Sequence, residues 1–240
     1  MSENTLANHP DYTAGCMICG EDIICLPDHS FILKCYYCGR EEESRVFCLN
    51  GHYVCDECHR KGILGLVEQI CLESDFTDPV ELAQKIFDLP GLHMHGPEYH
   101  SIIPAVLVTA YQNGHNNTKS RAIKEAIKRG KDIVGGICGS HGACGAAIGV
   151  GIAYSIIHQV TPFSLAERGA ANEMTALALL EISRFGGPRC CKRDGMVAIE
   201  TAVKHFDGFA ARANGQYVCN QFKDNKDCLK KNCPYFPKPY

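Results

Sequence analysis

The sequence predicts a mainly α protein: a small N-terminal α+β domain, then a helical domain with a Gly/Cys-rich cradle. Three observations lead there. Four ligand-like residue pairs crowd positions 16–58. Apolar residues at helical spacing recur from Lys61 to Phe206. The stretch Ile133–Ala166 has no Asp, Glu, Lys or Arg and joins two cysteines to many glycines and alanines. The expected organisation is a flexible tail over 1–14, a zinc-finger domain over 15–60, a helical domain over 61–210 and a Cys-containing tail over 211–240.

The four pairs are Cys16-x2-Cys19, Cys35-x2-Cys38, Cys48-x3-His52 and Cys55-x2-Cys58. Two Cys separated by two residues form a knuckle that aims both thiolates at one ion, and a glycine such as Gly20 or Gly39 relieves its turn. Eight ligands make two tetrahedral zinc sites of ribbon or treble-clef type. The pairing stays open: sequential (first pair with second, third with fourth) or crossed (first with third, second with fourth). So small a domain has little core of its own, so the two zinc ions are expected to supply much of its folding energy.

Sixteen cysteines among 240 residues, many in Cys-x-x-Cys pairs, point to metal ligation rather than disulfides. Met1–Pro10 has neither the basic nor the apolar segment of a secretory signal, and the expected compartment is the cytoplasm. A net charge of −3 with 21% charged residues gives no general bias toward nucleic acid or membrane. The uncharged stretch is long enough for a bilayer span, but the polar, glycine-broken loop with Ser140 and His141 opens it. It reads as a buried helix over Ala143–Ile157, so no membrane partner is expected.

The remaining helices follow from apolar spacing and punctuation. Ile63, Leu64, Leu66, Val67, Ile70 and Cys71 mark one; Asp78-Pro79 caps a second, ended by Pro90-Gly91. Ser101–Tyr111 reads as buried, with Pro104 in its first turn. Thr118–Arg129 is amphipathic and basic (Lys119, Arg121, Lys124, Lys128, Arg129, then Lys131), a solvated face that could also meet an RNA backbone. Pro162-x-Ser164-x-x-Glu167 has the form of a capping box before a long helix stopped by Gly186-Gly187-Pro188. A last helix runs over Met196–Phe206.

Cys138, Cys144, Cys190 and Cys191 form a second group, in two Gly-flanked turns each ahead of an apolar helix. Helix N-termini lower thiol pKa values and offer N–H groups to cluster sulfides. Adjacent Cys190-Cys191 makes a poor zinc knuckle because neighbouring side chains diverge. Ligation of an iron–sulfur cluster by three of the four, with the last nearby, suits the spacing. Cys219, Cys228 and Cys233 resemble a third metal knuckle without an obvious fourth ligand; Cys25, Cys71 or a histidine could complete it. His95, His100 and His141 are candidate proton carriers, as is His93 in the same His-rich turn. Arg189, Lys192 or Arg193 could hold a substrate anion.

Gly139–Ser155 resembles the region around a cluster cysteine in the α domain of iron–sulfur L-serine dehydratases, where Gly-Cys-Gln-x-Glu-x-Gly-x-Ala opens a small-residue helix. Ser101-Ile-Ile-Pro-Ala-Val-Leu107 is similar to an earlier helix of that family. Arg189-Cys-Cys-Lys-Arg-Asp194 resembles its last cluster cysteine and a turn in L-cysteine desulfidases. Gly145 and Ala147 replace that family's Gln and Glu, and Cys190 and Cys191 touch where its later cysteines stand about ten residues apart. The chain as a whole resembles an uncharacterised cysteine-rich family from anaerobes and methanogens, domain of unknown function 5714, also found joined to methyltransferase domains.

The resemblance implies a [4Fe–4S] cluster with one iron open, in a lyase or sulfurtransferase acting on a small sulfur- or hydroxyl-bearing substrate. Cys144 and Cys191 match the family's cluster cysteines best, and a methyltransferase is a possible partner. A zinc-finger module that binds RNA or protein, or a metal- or redox-trafficking protein, is the alternative expectation.

Overall fold

The computed structural model describes residues 16, 18, 19, 21, 23–26, 28–89, 91, 92, 94–209, 217–223, 225 and 227–238. The expected tail over 1–14, Gly20, Pro90 and His93 lie outside them. The chain divides into two compact units, Met1–Gly62 with Leu89–Gly91, and Ile63–Asp88 with Leu92–Tyr240. The division falls within the helical run α1 (Asp56–Glu73), which Gly62 interrupts with φ 61° and ψ 175°. Only glycine takes that conformation without strain.

In the first unit, β1 (Ile23–Cys25) pairs antiparallel with β4 (Val46–Cys48). Between them in sequence, β2 (Phe31–Lys34) and β3 (Glu41–Ser44) form their own antiparallel pair. The inner hairpin is thus nested within the outer one, and its turn carries Cys35 and Cys38. Apolar burial is meagre. A buried cluster of this unit consists of Cys35, Cys55 and Cys58, with Tyr37, Tyr53 and Val54 packed against it.

The second unit is helical. α2 (Pro79–Phe87) begins as its sequence predicts: the Asp78 carboxylate accepts from the Val80 N–H at 2.8 Å, with Pro79 in the first turn. α3 (Glu98–Gly114) is buried without interruption from Tyr99 to Ala110. A helix apolar on every side has to be enclosed. Around it lie α2, α4 (Ser120–Lys131), α6 (Gly145–Ile157) and α8 (Cys191–His205). α7 (Ala166–Ser183) covers α6 and α8, and α5 (Ile137–Ser140) is a single turn before α6. The uncharged stretch is therefore α5, α6 and their flanking loops. Among the described residues, no helix is long and apolar enough to cross a membrane.

Three local expectations need correction. α3 starts at Glu98, so Pro104 lies inside the helix rather than in its first turn. The missing N–H of Pro104 leaves the His100 carbonyl without its helical donor, and α4 approaches closely there. A Cβ on Gly130 would overlap the His100 carbonyl and the Ser101 Cα. The Ser164 capping box does not form. The N-cap of α7 is Leu165, without a side-chain bond, and the Ser164 hydroxyl instead accepts from the Thr161 N–H at 3.0 Å. α8 begins at Cys191, not Met196, which puts the cysteine turn at its N-terminus.

Residues 217–238, expected as a tail, belong to the second unit. Tyr217 and Tyr235 are almost fully buried. Tyr217 packs edge-on to Phe87, and the Tyr217 and Tyr235 rings stand 5.4 Å apart. The Tyr235 hydroxyl donates to Glu200 at 2.8 Å, and the Cys219 N–H donates to the Tyr235 carbonyl at 2.8 Å. A segment dense in Lys and Asn is anchored by its few aromatic rings.

The close approach of α4 to α3 makes a test. Gly130→Ala forces a methyl into backbone atoms that cannot rotate away, at a cost of about 1–3 kcal/mol. Urea unfolding followed by helical circular dichroism is expected to show a lower midpoint for this variant than for exposed Gly169→Ala, where a Cβ meets nothing.

Candidate metal centres

The nested hairpins decide how the N-terminal ligands group. Pairing of β1 with β4 brings the knuckle before β1 beside the one that follows β4. Cys16, Cys19, Cys48 and His52 then form one set, and Cys35, Cys38, Cys55 and Cys58 the other, with all ligand atoms of each set within 4.8 Å of one another. The pairing is crossed. In the first set Cys19 and Cys48 stand 3.9 Å apart, Cys16 Sγ lies 3.9 Å from His52 Nδ1, and Cys48 Sγ lies 3.3 Å from it. In the second, Cys38 and Cys55 are 3.8 Å apart. A tetrahedral ion with metal–sulfur bonds of about 2.3 Å spaces its sulfurs about 3.8 Å apart, so either set can hold one.

Backbone N–H groups point at these sulfurs, as a thiolate requires. Ile18 donates to Cys16 (3.4 Å), Asn50 to Cys48 (3.2 Å) and Cys55 to Cys35 (3.3 Å). The Glu21 N–H pulls Cys19 down to about 6. Burial pushes Cys35 up, but the N–H groups of Cys38, Cys55 and Tyr37 outweigh it and leave about 7. At these two cysteines the metal-binding form is favoured, whereas burial raises Cys16, Cys55 and Cys58.

The second group of cysteines divides between two spaces in the helical unit. Cys138 on α5, Cys144 at the N-cap of α6 and Cys191 at the first position of α8 line a cavity of about 260 Å³. Tyr99, His100, Arg189 and Asp194 line it too. The Ala146 and Ala147 N–H groups at the start of α6 face Cys144, and the Gly96 N–H faces Cys191. Burial pushes the Cys144 thiol up to about 11 and also raises Cys191.

The His100 imidazole is buried against Gly145, where a Cβ would overlap the ring. Gly145 is therefore required by the position of the His100 ring. His100 Nδ1 lies 3.1 Å from the Ile133 carbonyl, which can only accept, so Nδ1 carries a proton, and in the neutral ring Nε2 keeps its lone pair. Asp194 is buried and paired with Arg193 at 2.9 Å. Burial raises its carboxyl and the guanidinium opposes that.

Cys190 takes the other direction. As N-cap of α8 it has extended backbone (φ −138°, ψ 102°), and its thiol accepts from the Arg193 N–H at 3.5 Å. It lines a small space together with Cys219, Cys228 and Cys233. Cys71 is elsewhere, fully buried in α1, and the Cys25 side chain lies outside the described residues. Burial pushes Cys190 up to about 11.

The other sequence candidates are placed as follows. His141 is exposed, with Nδ1 2.8 Å from the Ser140 hydroxyl, and is not among the cavity residues. His95 is half-buried, close enough for its charge to act on Asp194, and its Nδ1 has no hydrogen-bond partner among the described residues. Lys192 and Arg193 do not face solvent. Lys192 donates to the Phe87 carbonyl and to Gln221 (2.7 Å), while Arg193 also reaches the carbonyls of Gly186 and Pro188. Arg189 alone of the three basic residues lines the larger cavity. The Gly96 N–H and Asp194 were not among the expected site residues; the Gly-Pro turn and the Arg-Asp pair in the sequence were the available signals.

Residues 67–236 match the model of a family of unknown function, DUF5714, and the chain belongs to that family. No curated protein and no solved structure matches the chain. The matched range holds every cysteine of both helical-unit spaces and neither N-terminal tetrad.

Metal analysis can check the crossed pairing. Substituting Cys16 and Cys48 together by Ser removes two ligands from one set and none from the other. This double variant is expected to lose about one tightly bound ion per chain. Substituting Cys16 and Cys35 together is expected to lose about two, whereas sequential pairing would reverse these results.

Proposed function

We propose that this chain is an iron–sulfur enzyme of dehydratase, desulfidase or sulfur-transfer type, with Cys138, Cys144 and Cys191 holding a [4Fe–4S] cluster. The observation that carries this reading is the convergence of three thiols, from two turns distant in sequence, on one cavity that also presents Arg189 and the His100 imidazole. The donor set fits an anionic cluster: two of the three cysteines sit at helix N-termini, and N–H groups of Gly96, Ala146 and Ala147 face the sulfurs. The likeness of residues 90–210 to serine dehydratases and cysteine desulfidases agrees with it.

When bound, a cluster with one iron unligated by protein supplies a Lewis acid for a hydroxyl or thiol, or a place to hold hydrosulfide. The chain's own residues supply the rest. Arg189, exposed at the cavity, positions a carboxylate or phosphate of a small sulfur- or hydroxyl-bearing substrate. His100 accepts or returns a proton at Nε2, because its Nδ1–H is committed to the Ile133 carbonyl. Tyr99, Pro97 and Ala146 give the cavity a partly apolar wall that limits water. The two N-terminal tetrads hold zinc in this reading and serve folding, since the ligand cysteines form so much of the buried cluster there. Cytoplasmic residence fits a chain that depends on reduced thiols.

A second reading, a zinc-finger module that binds RNA, rests on the basic face of α4. Arg121, Lys124, Lys128 and Lys131 are not buried, and Arg129 pairs with Glu125 at 2.8 Å. One preparation separates the two. Anaerobically purified protein is expected to be brown, to absorb near ~400 nm and to contain iron and sulfide. Cys144→Ala is expected to lose about four irons per chain, one cluster's worth, and keep its zinc. Colourless protein carrying zinc alone would sink the enzyme reading.

A further inference from the structure

We infer that Cys190, Cys219, Cys228 and Cys233 form a second, closed iron–sulfur site, in which four thiolates ligate a [4Fe–4S] cluster. All four line one small space in the helical unit. Three come from the C-terminal segment, which the Tyr217 and Tyr235 rings and the Cys219–Tyr235 backbone bond hold in place. The fourth comes from the turn before α8, which Arg193 clamps through the Gly186 and Pro188 carbonyls. Cys190 is thus the missing partner of the three C-terminal cysteines.

Spacing distinguishes this site from the N-terminal tetrads. There, neighbouring sulfurs approach to 3.8–3.9 Å around a point that one ion fills. Among the described residues, no three of the C-terminal-site thiols fall within 4.8 Å of one another. A cubane cluster holds its thiolates wider apart than a single ion, because each binds a different iron.

The surroundings suit an anion. Lys192 and Arg193 are both buried and line the space, bringing positive charge. Lys192 shares its charge with Asp88. The Arg193 N–H reaches Cys190 at 3.5 Å, and the Lys230 N–H reaches Cys228 at 3.3 Å. Phe222, Tyr235 and Phe236 form an aromatic wall. With every iron ligated by protein, the site has no position for a substrate, and its role is to store an electron or to tie the C-terminal segment to α8. Cys190 and Cys191 then belong to different clusters across a single peptide bond.

This inference stands apart from the enzyme reading. Anaerobically reconstituted wild type is expected to hold about eight irons and eight sulfides per chain, two cubane clusters. Cys219→Ser and Cys228→Ser are each expected to retain about four irons, and so is Cys144→Ala, while Cys144→Ala with Cys219→Ser retains almost none. Wild-type iron content in Cys219→Ser and Cys228→Ser, or loss of zinc in place of iron, overturns the second site. Loss of iron in Cys219→Ser but not in Cys144→Ala overturns the open cluster and leaves the second site standing. Should the variants fail to fold, electron paramagnetic resonance of dithionite-reduced wild type decides. Two clusters ligated by consecutive residues give a signal broadened by spin–spin coupling, and an uncoupled signal from about four irons per chain overturns the inference.

Discussion

The helical unit depends on a divergence of two neighbouring side chains. Cys190 is the N-cap of α8, in extended conformation, and Cys191 is its first helical residue. A change from extended to helical backbone between consecutive residues sends their side chains in different directions. One thiol therefore lines the larger cavity with Cys138 and Cys144, and the other lines the small space with the C-terminal cysteines. The buried charges of the next three residues accompany this arrangement. Lys192 ties the turn to α2 through the Phe87 carbonyl, and Arg193 holds both Asp194 and the loop before Cys190. Buried charges are tolerated only when paired or hydrogen-bonded, so this turn has little freedom to move.

α3 supplies the fixed surface on which those turns are assembled. Its buried run from Tyr99 to Ala110 leaves no polar face, and the helices around it approach through small residues. Gly130 meets α3 at the His100 carbonyl, Gly145 meets the His100 ring and Gly149 meets Pro104. These contacts set where α4 and α6 begin and end against α3, and so where Cys144 is presented. The glycines that make the opening stretch of α6 conspicuous in the sequence thus have a packing reason independent of any cofactor.

The first unit works by another principle. The ligand cysteines and a few aromatic residues are its buried cluster, so an ion held by either tetrad would contribute directly to its folding. Its topology decides the ligand sets: a hairpin inside a hairpin brings the first and third pairs together and leaves the second with the fourth.

Much of this was legible from residue types and spacing. The four N-terminal pairs named all eight tetrad ligands, because metal ligation demands particular atoms at short intervals. Asp78 announced the start of α2, and apolar periodicity located the helices. The sequence left crossed and sequential pairing equally open, since strand pairing is a long-range choice that knuckle spacing does not encode. It suggested a capping box at Ser164, but the hydroxyl took the Thr161 N–H instead, a competition between two local bonds that only geometry resolves. It grouped Cys190 with Cys191 because they are adjacent. By itself the sequence determined which residues are able to ligate and which segments are helical, for both depend on local chemistry. Only the tertiary structure decided which thiols share a space, because that depends on where α8 begins and on how the aromatic residues of the C-terminal segment pack back onto the helices.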